Sequence, residues 1–185
     1  MTVAVTPAGL RTREALLDAG EAVAARDGLA GLSVNGVVAQ AGVAKGTFYV
    51  HFADRAAFVD ALHERFYGEV SARVEAATGE APPGRERLRR GAVAYLDACL
   101  DHRAVKALLI EARMEGSLTH RIASRGDAFT AAAQPSFRAI GWRDGAYAAR
   151  LFAAMTAEVA LLELDAGKAI PAARRTLSRF LEPPA

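Results

Sequence analysis

The chain has 185 residues, of which 52% are hydrophobic and 24% charged, a length that suits one domain or two small parts sharing a core. A net charge of +2 and a pI near 8.9 argue against a protein that coats nucleic acid by charge alone. The single cysteine, Cys99, excludes an internal disulfide framework and suits a reducing compartment.

The opening "MTVAVTPAGLR" has no basic stretch followed by an apolar one, so no signal peptide is read there. The run "LFAAMTAEVALLEL" is interrupted by Thr156, Glu158 and Glu163, short of the ~18 apolar residues of a membrane span. A cytoplasmic location without membrane attachment is expected.

Apolar residues recur with the helical period throughout, and no sustained alternation marks a strand. A first helix is expected from about Arg11 to Arg26, with Leu16, Ala19, Gly20 and Val23 on one stripe and Gly28 as its C-cap. Ser33 can cap a second, short helix that buries Val34, Val37, Val38 and Ala41. "AGV" at 41–43 is a tight turn, and a third helix of about two turns follows it. Asp54 caps a long fourth helix carrying Phe58, Leu62, Phe66 and Val70. Pro82, Pro83 and Gly84 break the pattern. Helices resume near Arg87 to Leu100 and His102 to Glu115; "SRGD" at 124–127 is expected to break the next stretch, with Asp127 as a cap. Pro135 should kink or end that helix. Asp144 is expected to cap a long helix closed by Gly167, and Pro171 to open a last one. The fold class is all-α, with about nine helices.

Two short helices joined by a small-residue turn form a helix-turn-helix. Val37, Val38, Val43, Phe48 and Phe52 make its small core, which leaves Lys45, Gly46, Thr47, Tyr49 and His51 facing out. Such a second helix lies in the major groove of DNA. A glycine in it removes the side chain that would hold the helix off the duplex. Lys45 can donate to guanine or phosphate, Thr47 to a base edge or phosphate, and Tyr49 and His51 to phosphate oxygens. Arg55, opposed by the dipole at the start of its helix, suits a phosphate better than that helix.

At these residues the sequence "SVNGVVAQAGVAKGTFYVHFADRAAFVDAL" resembles the N-terminal signature of the TetR family of transcriptional regulators. The resemblance covers about residues 11–62 and centres on A-G-V-x-x-G-T-x-Y-x-H-F. It implies an N-terminal helix-turn-helix DNA-binding domain (8–56) and a C-terminal helical bundle for ligand binding and dimerisation (57–185). It also implies DNA contacts from Ser33, Lys45, Gly46, Thr47, Tyr49, His51 and Arg55. The chain departs from the pattern at Ala44, where a capping Ser is usual, at Ala24 in place of Phe, and at Arg55-Ala56 in place of Lys-Glu. Residues 1–60 hold five Lys and Arg (Arg11, Arg13, Arg26, Lys45, Arg55) against six acids (Glu14, Asp18, Glu21, Asp27, Asp54, Asp60). The acids are therefore expected to lie off the DNA face.

In the C-terminal part, the helix around Ala104–Glu115 is apolar on two stripes, as a central helix would be. The helix at 145–165 also carries two: Ala148, Leu151, Phe152, Met155, Val159 and Leu162 on one, and Tyr147, Ala154, Leu161 and Leu164 on the other. One stripe suffices for the intrachain core, and the second suits a symmetric homodimer. The resemblance implies that the last two helices form that dimer and that the bundle holds a small-molecule effector. Candidate pocket residues are Leu96, Cys99, Leu100, Arg113, Met114, Phe129, Phe152 and Met155, with Arg113 able to meet an anion or a neighbouring Glu. Plain core is an equal alternative for each of them. Cys99 reads as a small apolar residue rather than a redox sensor. "RERLRR" at 85–90 reads as a solvated helix face. His63, His102 and His120 have no metal-ligand spacing, and no catalytic set stands in a recognisable frame, so no metal, cofactor or enzymatic activity is expected.

The expected function is a ligand-responsive repressor that binds a palindromic double-stranded operator. The alternatives are a regulator without a small-molecule effector, or a helical protein that has lost DNA binding.

Overall fold

The computed structural model describes residues 7–106, 110 and 119–182, and of 29–30 and 119–127 the backbone alone. Among the described residues there are no strands. The helices are α1 (Pro7–Gly31), α2 (Val34–Ala41), α3 (Lys45–His51), α4 (Arg55–Thr78), α5 (Arg85–Asp101), α6 (Thr119–Ala139), α7 (Gly145–Ala166) and α8 (Pro171–Arg179). A further helical turn lies at 103–106. The chain divides into two compact units. One comprises the described residues of Met1–Phe66 and Arg103–Leu118; the other comprises those of Tyr67–His102 and Thr119–Ala185.

In the first unit, α1 is interrupted where the sequence places its end. Gly28 has φ 63 and ψ −162, a region nearly closed to residues with a Cβ. Ser33 caps α2 by accepting the Gly36 N–H at 3.0 Å. Gly42 then takes the left-handed conformation (φ 68). Its N–H and that of Val43 bond back to Ala39 and Val38, which satisfies the carbonyls left free at the helix end. Asp54 accepts the Ala57 N–H at 2.8 Å and starts α4.

Leu16, Leu17, Val23, Leu32, Val37, Phe48, Phe58 and Leu62 fill the core of this unit, each no more than 1% exposed. A side chain of that kind contributes roughly 1.5–3 kcal/mol when fully buried. Helix α1 passes so close to α4 that a Cβ at Gly20 would stand 2.5 Å from the Phe58 ring. Phe48, Phe52 and Phe58 form a triangle with ring centroids 4.9 to 5.4 Å apart, which anchors α3 to the start of α4.

In the second unit, α7 packs against α6, α5 and α8. Its buried side carries Ala148, Ala149, Phe152, Thr156, Val159, Ala160 and Glu163. The Glu163 carboxylate is fully buried. It receives a two-point contact from Arg174 of α8 (2.7 and 2.8 Å) and the Ile170 N–H at 2.9 Å. Arg174 also reaches Asp97 of α5 at 2.6 Å. Burial alone would raise the Glu163 pKa, but the Arg174 and Ile170 hydrogen bonds outweigh it and hold it below the ordinary value. Thus one ion network joins α5, α7 and α8.

Three local expectations are corrected. Helix α6 runs unbroken through 124–127, because the roughly 1 kcal/mol cost of one glycine is small beside the packing of a 21-residue helix. It continues past Pro135 and ends within about one turn, at Ala139. Asp144 stands at the N-cap of α7 but makes no side-chain cap bond. Its ψ of 55 departs from the extended backbone that aims a carboxylate at the first amides. Leu151 and Leu162, grouped on one stripe of α7 with the buried Phe152 and Val159, are 64% and 45% exposed. They follow Tyr147 and Ala154 along a meridian opposite Phe152, Thr156 and Glu163, as ~100° per residue requires.

By length and composition α7 is the one helix among the described residues that could cross a membrane, with 22 residues and a mean hydropathy of 1.2 in its most apolar window. This is longer than the run read from the sequence. The buried, ion-paired Glu163 and the packing on three neighbouring helices give α7 the character of a bundle helix instead.

Candidate nucleic-acid interface

Helix α3 has one buried residue, Phe48; Thr47 and His51 are half-buried and the rest is exposed. Phe48 is fully buried and fixes the rotation of the helix about its axis. Gly46 and Val50 lie two residues to either side of it, so at ~100° per residue both fall opposite Phe48. Val50 is 79% exposed. A Cβ at Gly46 would meet nothing within 4 Å. Lys45 and Tyr49 flank this line on one side, both exposed. Thr47 and His51 flank it on the other, both half-buried. The Tyr49 ring stands edge-on to Phe48 at 5.5 Å, which holds its hydroxyl outward from a packed base.

Ala44 occupies the N-cap of α3 with no side-chain hydrogen bond, as the missing serine implies. Ser33 is exposed, with its oxygen engaged in capping α2. Arg55 does more than its sequence position suggested: its Nε donates to the Leu32 carbonyl at 2.7 Å, bracing the start of α4 against the residue before the α2 cap.

The acids of this unit are occupied elsewhere. Arg65 of α4 gathers Asp18 (2.7 Å), Glu21 (2.9 Å) and Glu14 (3.4 Å) from α1. Asp27 pairs with Arg26 at 2.8 Å, and Asp54 serves as a cap. Residues 1–60, with six acids against five bases, thereby present Lys45, and none of these five carboxylates, on the short third helix.

These features coincide with a family pattern. Residues 16–62 match the model of the bacterial regulatory proteins of the tetR family. The N-terminal head is a tetR-family domain. Beyond the head, the likeness is one of fold and covers about nine-tenths of the chain. A transcriptional regulator from Rhodococcus sp. Rha1 superposes with a TM-score of 0.79 at 22% identity, covering 91% of this chain and 93% of the other. A TetR-family regulator, described as such provisionally, from Rhodococcus sp. gives 0.75 at 22% identity over 92% and 96%. The multidrug binding protein EbrR complexed with imidazole gives 0.74 at 22% identity over 95% and 92%. No curated protein matches the sequence.

Six of the eight residues expected around a ligand lie on helices of the second unit. Leu96, Cys99 and Leu100 lie on α5, Phe129 on α6, and Phe152 and Met155 on α7, three helices that pack on one another. Leu96, Cys99 and Phe152 are buried; Leu100, Phe129 and Met155 are half-buried. Phe129 meets Tyr95 edge-on at 6.2 Å. Arg113 and Met114, with Glu111, lie outside the described residues. The arginines of "RERLRR" are engaged within the chain: Arg89 and Arg90 both pair with Glu86, Arg87 donates to the Thr78 and Ala81 carbonyls, and Arg85 to that of Leu181. The two arginines hold the Glu86 carboxyl well down, at about 2.

Sequence reasoning passed over Val50. Its signal was available, since Val50 is one turn beyond Gly46 and a helix that opens one opens the other.

Proposed function

We propose that the protein is a DNA-binding transcriptional regulator that acts in the cytoplasm as a homodimer. The observation that carries this reading is the open face of α3. A glycine and a small apolar side chain form its centre, and hydrogen-bonding side chains form both margins, within a tetR-family head. Such a face fits the major groove, with the centre toward base edges and the margins toward phosphates. Ser33, Lys45, Thr47, Tyr49, His51 and Arg55 supply the contacts and Gly46 the clearance, within a head of residues 8–56. The operator is a palindrome, because a two-fold protein reads two equivalent half-sites.

The exposed line of Tyr147, Leu151, Ala154 and Leu162 on α7, with Phe180 (54% exposed) after α8, is the dimer surface in this reading. The bundle of residues 57–185 takes a small molecule, and its binding releases the operator, which makes the protein a repressor. The likeness to a multidrug binding protein supports a ligand among Leu96, Cys99, Leu100, Phe129, Phe152 and Met155 of the second unit.

The test is a mobility-shift titration on duplexes enriched from a random pool by the full-length protein. Lys45→Ala and Tyr49→Phe should each weaken binding without lowering the melting temperature. Tyr49→Phe should do so about equally on all sequences, as loss of a phosphate contact does. Wild-type affinity in both variants would overturn the assignment of α3 to DNA.

A further inference from the structure

We infer that Val50 is a specificity-determining residue of the reading helix and recognises the C5-methyl group of a thymine in each operator half-site. This rests on the DNA-binding reading above and adds to it which side chain meets a base, and which base.

Rotation about α3 decides the position. Phe48 points into the core, and Val50 and Gly46 lie opposite it. Whatever groove receives α3, the point of the helix farthest from the core enters deepest. The side chains at ~80° to that line, Thr47 and Tyr49, meet the groove walls, where the phosphates are. Gly46 projects nothing, so the one side chain on the deepest line of the helix is Val50.

Chemistry decides the base. Valine has no donor or acceptor, so it cannot satisfy the polar edges of guanine, cytosine or adenine in the major groove. The thymine methyl is the one apolar group displayed there. An isopropyl group left 79% exposed in the free protein gains most from that partner. The branched side chain is stiff in a helix, which makes the contact directional.

The experiment uses duplexes enriched from a random pool by the full-length wild-type protein. Each thymine of the enriched site is replaced in turn by deoxyuridine, which removes only the C5 methyl. Affinities are measured for the wild type and for Val50→Ala, whose folding is checked by thermal melting. One thymine per half-site should prove sensitive, with wild-type affinity falling roughly fourfold, the effect of one apolar methyl group leaving water. Val50→Ala should bind the thymine site more weakly than wild type and lose sensitivity to that one methyl while keeping its response elsewhere. Methyl sensitivity that is absent in the wild type, or equal in both proteins at every position, would overturn the inference while leaving DNA binding intact. A pool in which the wild type enriches no sequence would overturn the DNA-binding reading and this inference with it.

Discussion

The Nε of Arg55 lies 2.7 Å from the carbonyl oxygen of Leu32, across 23 residues of sequence. This bond ties the first turn of α4 to the residue that precedes the α2 cap. The cation therefore has a structural partner near the N-terminus of its helix, where the dipole opposes it. Arg55→Ala should lower the stability of the fold by about 1.5–3 kcal/mol, the usual contribution of a hydrogen bond that involves a charged group. The urea midpoint checks this, and an unchanged midpoint would mean that the bond contributes nothing in solution.

Gly46→Leu should abolish operator binding while leaving the melting temperature unchanged or raised. Leu has the better helix propensity by roughly 0.8 kcal/mol. The site is open, with nothing within 4 Å of an added Cβ. In the complex the same side chain would lift α3 and break the phosphate contacts at both margins together. A large fall in melting temperature would contradict the open site.

Leu151→Glu should yield a folded monomer by sedimentation, because Leu151 is 64% exposed in the single chain and lies in the proposed dimer surface. Leu177→Glu should behave differently. Leu177 is 4% exposed within its own unit, so an added carboxylate there should unfold the protein rather than merely separate two copies. A dimeric Leu151→Glu protein would place the interface elsewhere.

Glu163 gives the protein an acid-sensitive element. Its pKa is lowered in the folded state, so it binds its proton less readily there than in the unfolded chain. The stabilisation is therefore present above the ordinary Glu value, 4.5, and is lost as pH falls through the lowered folded value. Glu163→Gln should destabilise the protein by about 1.5–3 kcal/mol at pH 7, because it removes the charge-assisted hydrogen bonds of the buried carboxylate and leaves the half-buried Arg174 guanidinium with Asp97 alone of its two acidic partners. The variant should also lose less stability than wild type between pH 7 and pH 3. Parallel losses in the two proteins, followed by denaturant midpoints, would show that other carboxylates dominate acid unfolding.

Much of the head was legible in the sequence. Gly28 announced the break in α1, Ser33 and Gly42 the ends of α2 and Asp54 the start of α4, and the recurrence of Val37, Val38, Phe48 and Phe52 announced what the short helices bury. Val50 was missed because the sequence marks which residues are apolar, not which apolar residue the core declines. The Leu32 partner of Arg55 was missed because nothing near Arg55 in the sequence points 23 residues back. In α7 the difficulty was different: two apolar stripes fitted the periodicity, and Leu151 and Leu162 belonged to the one that faces out.

The sequence by itself determined the all-α class, the caps and turns at Ser33, Gly42, Asp54 and Gly167, and the two short helices joined at Gly42. Each of these depends on interactions within one or two helical turns, which neighbouring residues specify. Only the tertiary structure decided how α3 and α7 are rotated about their axes. Phe48 settled the first by packing with Phe52 and Phe58, and Glu163 the second by pairing with Arg174. It also drew Glu14, Asp18 and Glu21 onto Arg65, leaving a head of acidic composition with Lys45, Tyr49 and Val50 on its open face. The physical reason is that rotation about a helix axis leaves the helix's own hydrogen bonds unchanged, so packing against the rest of the chain selects it.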